Sequence, residues 1–235
     1  MCTVSQVYSS GKIIITSNRD EKTERPSSVK PQQYCINNKK IIFPKDPMAG
    51  GTWFAVDEKA NVAVLLNGAK EKHQQKSNYA KSRGLILLDI ISSESPIEQW
   101  KTISLLNIEP FTIVLLQKEK LFQLRWNANE KETIELATHQ NHIWSSATLY
   151  TDEVRKLRED WFEEFTNEKS INENDMQYFH LNTDKENSEN GLVINRNDVV
   201  KTFSVTQVVI ENNKVNMFHY DLHNKEEFSN SFLIL

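Results

Sequence analysis

The run Val62-Ala63-Val64-Leu65-Leu66 has no polar side. Successive side chains of a β-strand leave opposite faces of the sheet, so five apolar residues in a row have to be covered from both sides. The strand before it, Thr52 to Val56, is joined to it by the polar turn Asp57 to Asn61, which makes the pair an antiparallel hairpin.

Hairpins recur along the chain. Thr3 to Tyr8 alternates polar and apolar residues, Ser9-Ser10-Gly11 can turn, and Lys12 to Thr16 runs back. After a proline-containing loop from Arg25 to Pro31, short strands are expected near Tyr34 and at Ile41 to Phe43. Phe111 to Leu116 and Leu121 to Trp126 pair around Lys118 to Lys120, and strand pieces follow near Ile134 and Ile143. Phe203 to Glu211 and Lys214 to Tyr220 make a last hairpin around Asn212-Asn213.

Helical signals interrupt this series. Leu85, Leu88 and Ile91 form an apolar stripe over Arg83 to Ile91. Ser95 as N-cap, Pro96 at the first helical position and Glu98 completing a capping box start a second helix. A third runs from Thr151 to about Thr166, with Val154, Leu157, Trp161 and Phe165 on one face. Asn167 to Asn190 is polar and loop-rich, with one short helix near Met176. No segment repeats and no βαβ rhythm occurs, so the order indicates a single α+β domain over residues 1–235, two sheets with helices outside.

Composition narrows the function classes. The 28 basic and 32 acidic residues are interspersed and leave a net charge of −4, which gives no electrostatic footprint for nucleic acid or an anionic membrane. No segment approaches the length of a membrane span, and the first eleven residues lack the charged and apolar regions of a signal peptide. A cytoplasmic protein acting on a small-molecule substrate or ligand is expected, without stable membrane insertion and without a cofactor. Two cysteines are too few for a disulfide framework.

One of them, Cys2, has chemistry of its own. Once Met1 is removed, residue 2 carries both a thiol and a free α-amine. A thiol of pKa near about 8.5 is a weak nucleophile chiefly because little of it is thiolate. An α-amine of pKa about 7.7 to 8.0 can serve as its general base. The first hairpin brings the end of Lys12 to Thr16 back beside the start of Thr3 to Tyr8, so Arg19 and Asp20 are expected close to Cys2. Asn67, directly after the buried strand, can deliver an amide N–H to an oxyanion.

Five short motifs in order resemble a known family: Met1-Cys2, Ser17-Asn18-Arg19-Asp20-Glu21, Arg25-Pro26, Gly50-Gly51-Thr52-Trp53 and Leu66-Asn67-Gly68. The chain is similar over residues 1–90 to the NRDE family, also called the transport and Golgi organisation protein 2 family, and Ser82-Arg83-Gly84 opens a helix where that family has one. The resemblance implies an N-terminal nucleophile hydrolase-like fold, a four-layer αββα sandwich with two antiparallel sheets between helices. The first residues are also similar to the choloylglycine hydrolase group, whose members cleave linear amides with a cysteine at position two. Carried over, Cys2 is the nucleophile, Arg19 and Asp20 its charge partners, and Asn67 the oxyanion donor. Asn18, Glu21, Trp53 and Ser146 join them as candidate binding positions, although Trp53 reads first as core. Two positions depart from the family: Ser146 stands where an asparagine is expected, and Phe203 where an arginine is. The implied activity is hydrolysis of a C–N amide bond in a small or acyl-conjugated substrate. The alternative is a non-enzymatic carrier or chaperone of haem or acyl ligands in the same pocket.

Remaining features read blandly. His139 and His142 sit in a polar loop, and His219 and His223 on a strand stand about 13 Å apart, so no metal site is expected. Cys35, beside Tyr34 and Ile36, reads as an inert buried thiol, Gly50-Gly51 as a tight turn beside close-packed backbone, and residues 70–83 as a solvated connection.

Overall fold

The structure, a computed structural model, describes residues 3–167 and 170–234. The chain opens with six strands, β1 (Thr3–Ser9), β2 (Lys12–Lys22), β3 (Val29–Ile36), β4 (Lys39–Lys45), β5 (Phe54–Asp57) and β6 (Val62–Asn67). Helices α1 (Arg83–Ile91) and α2 (Pro96–Thr102) follow, then β7 (Phe111–Gln117), β8 (Lys120–Trp126), β9 (Lys131–Leu136) and β10 (His142–Ser145). The last part holds α3 (Asp152–Asn167), α4 (Glu173–Asn182), β11 (Asn195–Arg196), β12 (Val200–Glu211), β13 (Lys214–Asp221) and β14 (Glu226–Leu233). One antiparallel sheet has the order β10-β1-β2-β12-β13-β14, with β11 on β12, and the other runs β3-β4-β5-β6-β7-β8-β9.

Three apolar clusters stack these elements into four layers. Ala63, Leu65, Ile113 and Leu115 pack with Leu87, Ile90 and Trp100 of α1 and α2. Val62, Val64, Leu66 and Val114 face Val4, Ile13, Ile15 and Val208 of the other sheet. Val7, Ile14 and Val209 meet Phe162 of α3 and Met176 and Phe179 of α4. The αββα sandwich therefore follows from strand alternation, and residues 62–66 are covered on both faces as their composition demands.

Several local details differ from the sequence reading. β2 does not end at Thr16 but continues to Lys22, because β12 pairs with it from Glu211↔Lys12 to Val200↔Lys22. Asn18, Arg19 and Asp20 are therefore buried in mid-sheet rather than solvated at a strand end. Ser95 precedes α2, yet its side chain caps nothing: Gln117 Oε1 accepts from Ile97 N–H at 2.8 Å, and Gln117 Nε2 donates to Ser95 Oγ at 3.1 Å. Glu98 pairs instead with Lys101. In α3 the buried residues are Arg158 and Phe162, while Leu157 lies toward solvent at 40% exposure. Cys35 is exposed, not buried, because β3 is an edge strand whose Tyr34 and Ile36 take the inward positions. Strand β14 has no sequence signal strong enough to have been foreseen, since its polar run is held by pairing with β13.

The short helix expected near Met176 is α4, which spans 10 residues of the stretch from Asn167 to Asn190. Its start is a full capping box, Asn172 Oδ1 accepting from Asn174 and Asp175 N–H and Asp175 accepting from Asn172 N–H. Asn172→Ala is expected to cost about 1 kcal/mol, seen as a lower urea midpoint with an unchanged slope.

Candidate functional site

The site lies where β1, β2, β6 and β12 come together. Thr3 is opposite Asn18 on one side and Ser145 on the other, so β1 starts between β2 and β10. Cys2, the candidate nucleophile, lies outside the described residues.

Arg19 and Asp20 are neighbours on one strand and leave it on opposite faces. Arg19 points between the sheets, its guanidinium 4.5 Å from the Trp53 ring and 5.6 Å from the Phe203 ring, with Nη2 at 3.4 Å from Asp46. Burial pulls it below the ordinary arginine range, while Glu21 and Asp46 oppose that shift. Its Nη1 is buried with no partner among the described residues. Burial favours the neutral form of Asp46, but the Ala49 and Met48 amides and the Arg19 and Arg25 guanidiniums hold its carboxyl below the usual range.

Asp20 turns toward the helical layer. Its carboxylate accepts from the Tyr150 hydroxyl at 2.6 Å and from Thr202 Oγ1 at 2.5 Å. The ring of Tyr150 lies 3.7 Å under the guanidinium of Arg158, which is buried and donates to Thr3 Oγ1 and to the carbonyls of Asn190 and Gly191. Asn18 is a structural tie rather than a cavity wall: Nδ2 donates to the carbonyls of His180 and Leu192, and Oδ1 meets His180 Nδ1.

Asn67 ends β6. Its side-chain amide makes no hydrogen bond among the described residues, with Oδ1 buried and unpartnered, whereas its backbone carbonyl accepts from Ser146 Oγ at 2.9 Å. Ser146, also bonded to Thr148 at 3.1 Å, thus fixes the strand end that carries Asn67. Glu21 and Asn67 both border two cavities. One, of about 80 Å³, is walled by Arg19, Asp46, Trp53 and Arg83. The other, of about 410 Å³, is walled by Asp20, Ser146, Lys72, His73 and Gln75. Residues 70–83, expected to be a solvated connection, therefore wall the larger cavity in part. His73 Nε2 and Arg83 both reach the carboxylate of Glu109, at 3.2 and 3.0 Å, and hold this loop down.

The structure thus brings Arg19, Glu21, Trp53 and Asn67 to one cavity, and Asp20, Glu21, Asn67 and Ser146 to the other. Phe203 sits at a register shift in β12 against the Arg19 guanidinium. Sequence reasoning missed Tyr150, Arg158 and Thr202. Asp20 lies 130 residues from Tyr150 and 182 from Thr202, and Thr3 lies 155 from Arg158, and nothing local distinguishes an arginine in the polar α3 from a solvated one.

The family described as Transport and Golgi organisation 2 matches residues 1–223. The chain belongs to that family. No curated protein matches it. Among solved structures, the cysteine-to-alanine mutant of conjugated bile acid hydrolase from Clostridium perfringens is similar, with a TM-score of 0.59 and 11% identity over 98% of this chain and 92% of that one. A Caenorhabditis elegans orthologue of N-acylethanolamine-hydrolyzing acid amidase gives a TM-score of 0.60 at 11% identity, over 88% of this chain and 92% of that one. At this identity the likeness is one of fold, and the fold is that of the N-terminal nucleophile hydrolases. Among the described residues no helix is long and apolar enough to cross a membrane.

Proposed function

We propose that this chain is an N-terminal-cysteine amidohydrolase acting on a C–N amide bond of a small or acyl-conjugated substrate. The observation that carries the reading is the β1–β2 register. Thr3, the first described residue, lies opposite Asn18, so the strand start that follows Cys2 in the chain pairs one position away from Arg19. With Met1 removed, the α-amine takes the thiol proton and the thiolate attacks the amide carbonyl. The Asn67 amide is the donor for the oxyanion, and the amine leaves with the proton held by the α-ammonium. Water then cleaves the thioester, releasing the acid and restoring the thiol. Arg19 favours the thiolate through its charge, and Asp20, held by Tyr150 and Thr202, supports the ammonium end.

Phe203 and Ser146 favour a second reading, a carrier of haem or acyl ligands, because one replaces a charge by an apolar ring and the other ties its hydroxyl to Asn67.

Intact mass separates the two, recorded before and after brief treatment with a small cysteine-directed electrophile. The expected result is loss of Met1 and one rapid adduct that disappears in Cys2→Ala. Exposed Cys35 supplies the slow reference in the same molecule. Arg19→Met is expected to slow the rapid adduct about tenfold, because it removes the charge proposed to favour the thiolate. Retained Met1, or a Cys2 no faster than Cys35, would overturn the hydrolase reading and favour the carrier.

A further inference from the structure

A third cavity, of about 250 Å³, adjoins Asn67 on its other side, between β6, β8, β10 and α3. Arg125 from β8 and Arg155 from α3 both line it, with Leu66, Ile143 and Trp144 giving it an apolar side. Each arginine is anchored at its tip: Arg125 Nη1 reaches Glu132 at 3.3 Å, while Arg155 donates from Nη1 to the Lys70 carbonyl at 3.1 Å and from Nη2 to Asp152. Yet the Nε–H of both is buried and has no acceptor among the described residues. Buried N–H groups are almost always partnered, so two orphans on side chains that share one cavity point to a missing acceptor. Arg125 meets Glu132 through Nη1, and among the described residues no hydrogen bond engages Nη2, which with Nε forms the edge that receives an oxyanion in a bidentate fashion. In the wall Arg125, Arg155 and Lys156 stand with Asp152 and Glu159, while Glu132 and Asp160 pair with Arg125 and Lys156 from outside it.

We infer that this cavity binds the oxyanion end of a small molecule, a carboxylate, sulfonate or phosphate, through the Nε–H edges of Arg125 and Arg155. The ligand's being a substrate rests on the hydrolase reading above, and the site then selects anionic amides. Asn67 lines both this cavity and the one beside Asp20 and Ser146. A substrate anchored here by its charged end therefore extends past the residue proposed to hold the oxyanion.

The test is calorimetric titration of the full chain with acetate, methanesulfonate and inorganic phosphate at constant ionic strength. At least one probe is expected to bind saturably, and the preferred probe identifies the head group. Arg125→Lys and Arg155→Lys keep the charge and lose the Nε–H, and each is expected to weaken binding roughly tenfold. Glu159→Gln, at an exposed wall position, is expected to tighten it roughly threefold, and decides the matter if a lysine variant does not fold. Absence of saturable binding by all three probes, binding unchanged in both lysine variants, or no tightening in Glu159→Gln would overturn the inference. Cys2→Ala is expected to bind the probe as the wild type does. Probe binding with a slow Cys2 then overturns only the hydrolase reading, and a rapid Cys2 adduct without probe binding overturns only this site.

Discussion

Lowering the pH from 7 to 5 is expected to remove about 4 kcal/mol of stability through His180 and His219. His180 is wholly buried, with Nε2 at 2.7 Å from Ser5 Oγ and Nδ1 against Asn18 Oδ1. Burial first, and the nearby Arg158 charge second, push it down to about 3. His219 is buried with Nδ1 at 2.8 Å from Thr206 Oγ1. Burial pushes it down to about 4, opposed by Asp221 and reinforced by Arg19. Both are neutral in the folded protein, whereas in the unfolded chain they titrate near about 6.5. Below that value the unfolded chain binds protons the folded one refuses, so stability falls with pH, down to about 4 for His219 and about 3 for His180. At pH 5 each has lost roughly 1.5 units of pH, or about 2 kcal/mol. Urea unfolding between pH 7 and 5 measures the slope, which is expected to fall by close to one proton in His219→Gln. An unchanged slope in that variant would show that His219 titrates as it does in water.

Gly51→Ala is expected to cost about 3 kcal/mol or more, the upper end of what overpacking does. A Cβ there would lie 2.4 Å from the carbonyl carbon of Gly84 and 2.6 Å from Leu85 N. Both obstacles are backbone at the start of α1, so neither can rotate away. Gly84 is also tight, its own Cβ falling 2.8 Å from the Thr52 carbonyl oxygen. The loop thus sets where α1 begins, and with it Arg83, which walls the Arg19 cavity. Gly50, at φ 73° with open space around it, is the control. There alanine meets only the left-handed backbone, at about 1 kcal/mol. If urea midpoints show Gly51→Ala no worse than Gly50→Ala, the helix is not seated on this loop.

Much of the architecture could be read locally. Residues 62–66 demanded cover on both faces because strand alternation leaves an all-apolar run no wet side. The hairpins around Ser10-Gly11, Lys118-Glu119 and Asn212-Asn213 were legible because a turn and its two strands lie within about twenty residues. Helix α1 runs from Arg83 to Ile91, where its stripe put it, since Ser82 caps it from the adjacent position. The short motifs around Cys2, Arg19, Gly51 and Asn67 indicated the family, and the match over residues 1–223 establishes it.

Long-range pairing settled the rest. Polar residues 18–20 look like a solvated end until β12, some 180 residues later, continues the ladder over them and buries them. That extension fixes the alternation that separates Arg19 from Asp20, one facing Trp53 between the sheets and the other facing Tyr150 below the helices. Gln117 takes the capping role that local sequence assigns to Ser95 and Glu98, because a neighbouring strand presents its amide to the helix start. Cys35 is exposed because β3 is an edge, and Arg125 and Arg155 share a cavity because β8 and α3 flank the end of β6. Sequence spacing sets which face of its own element a residue occupies. Which groups meet across layers, and so what chemistry they can do together, is decided only when the two sheets close over one another.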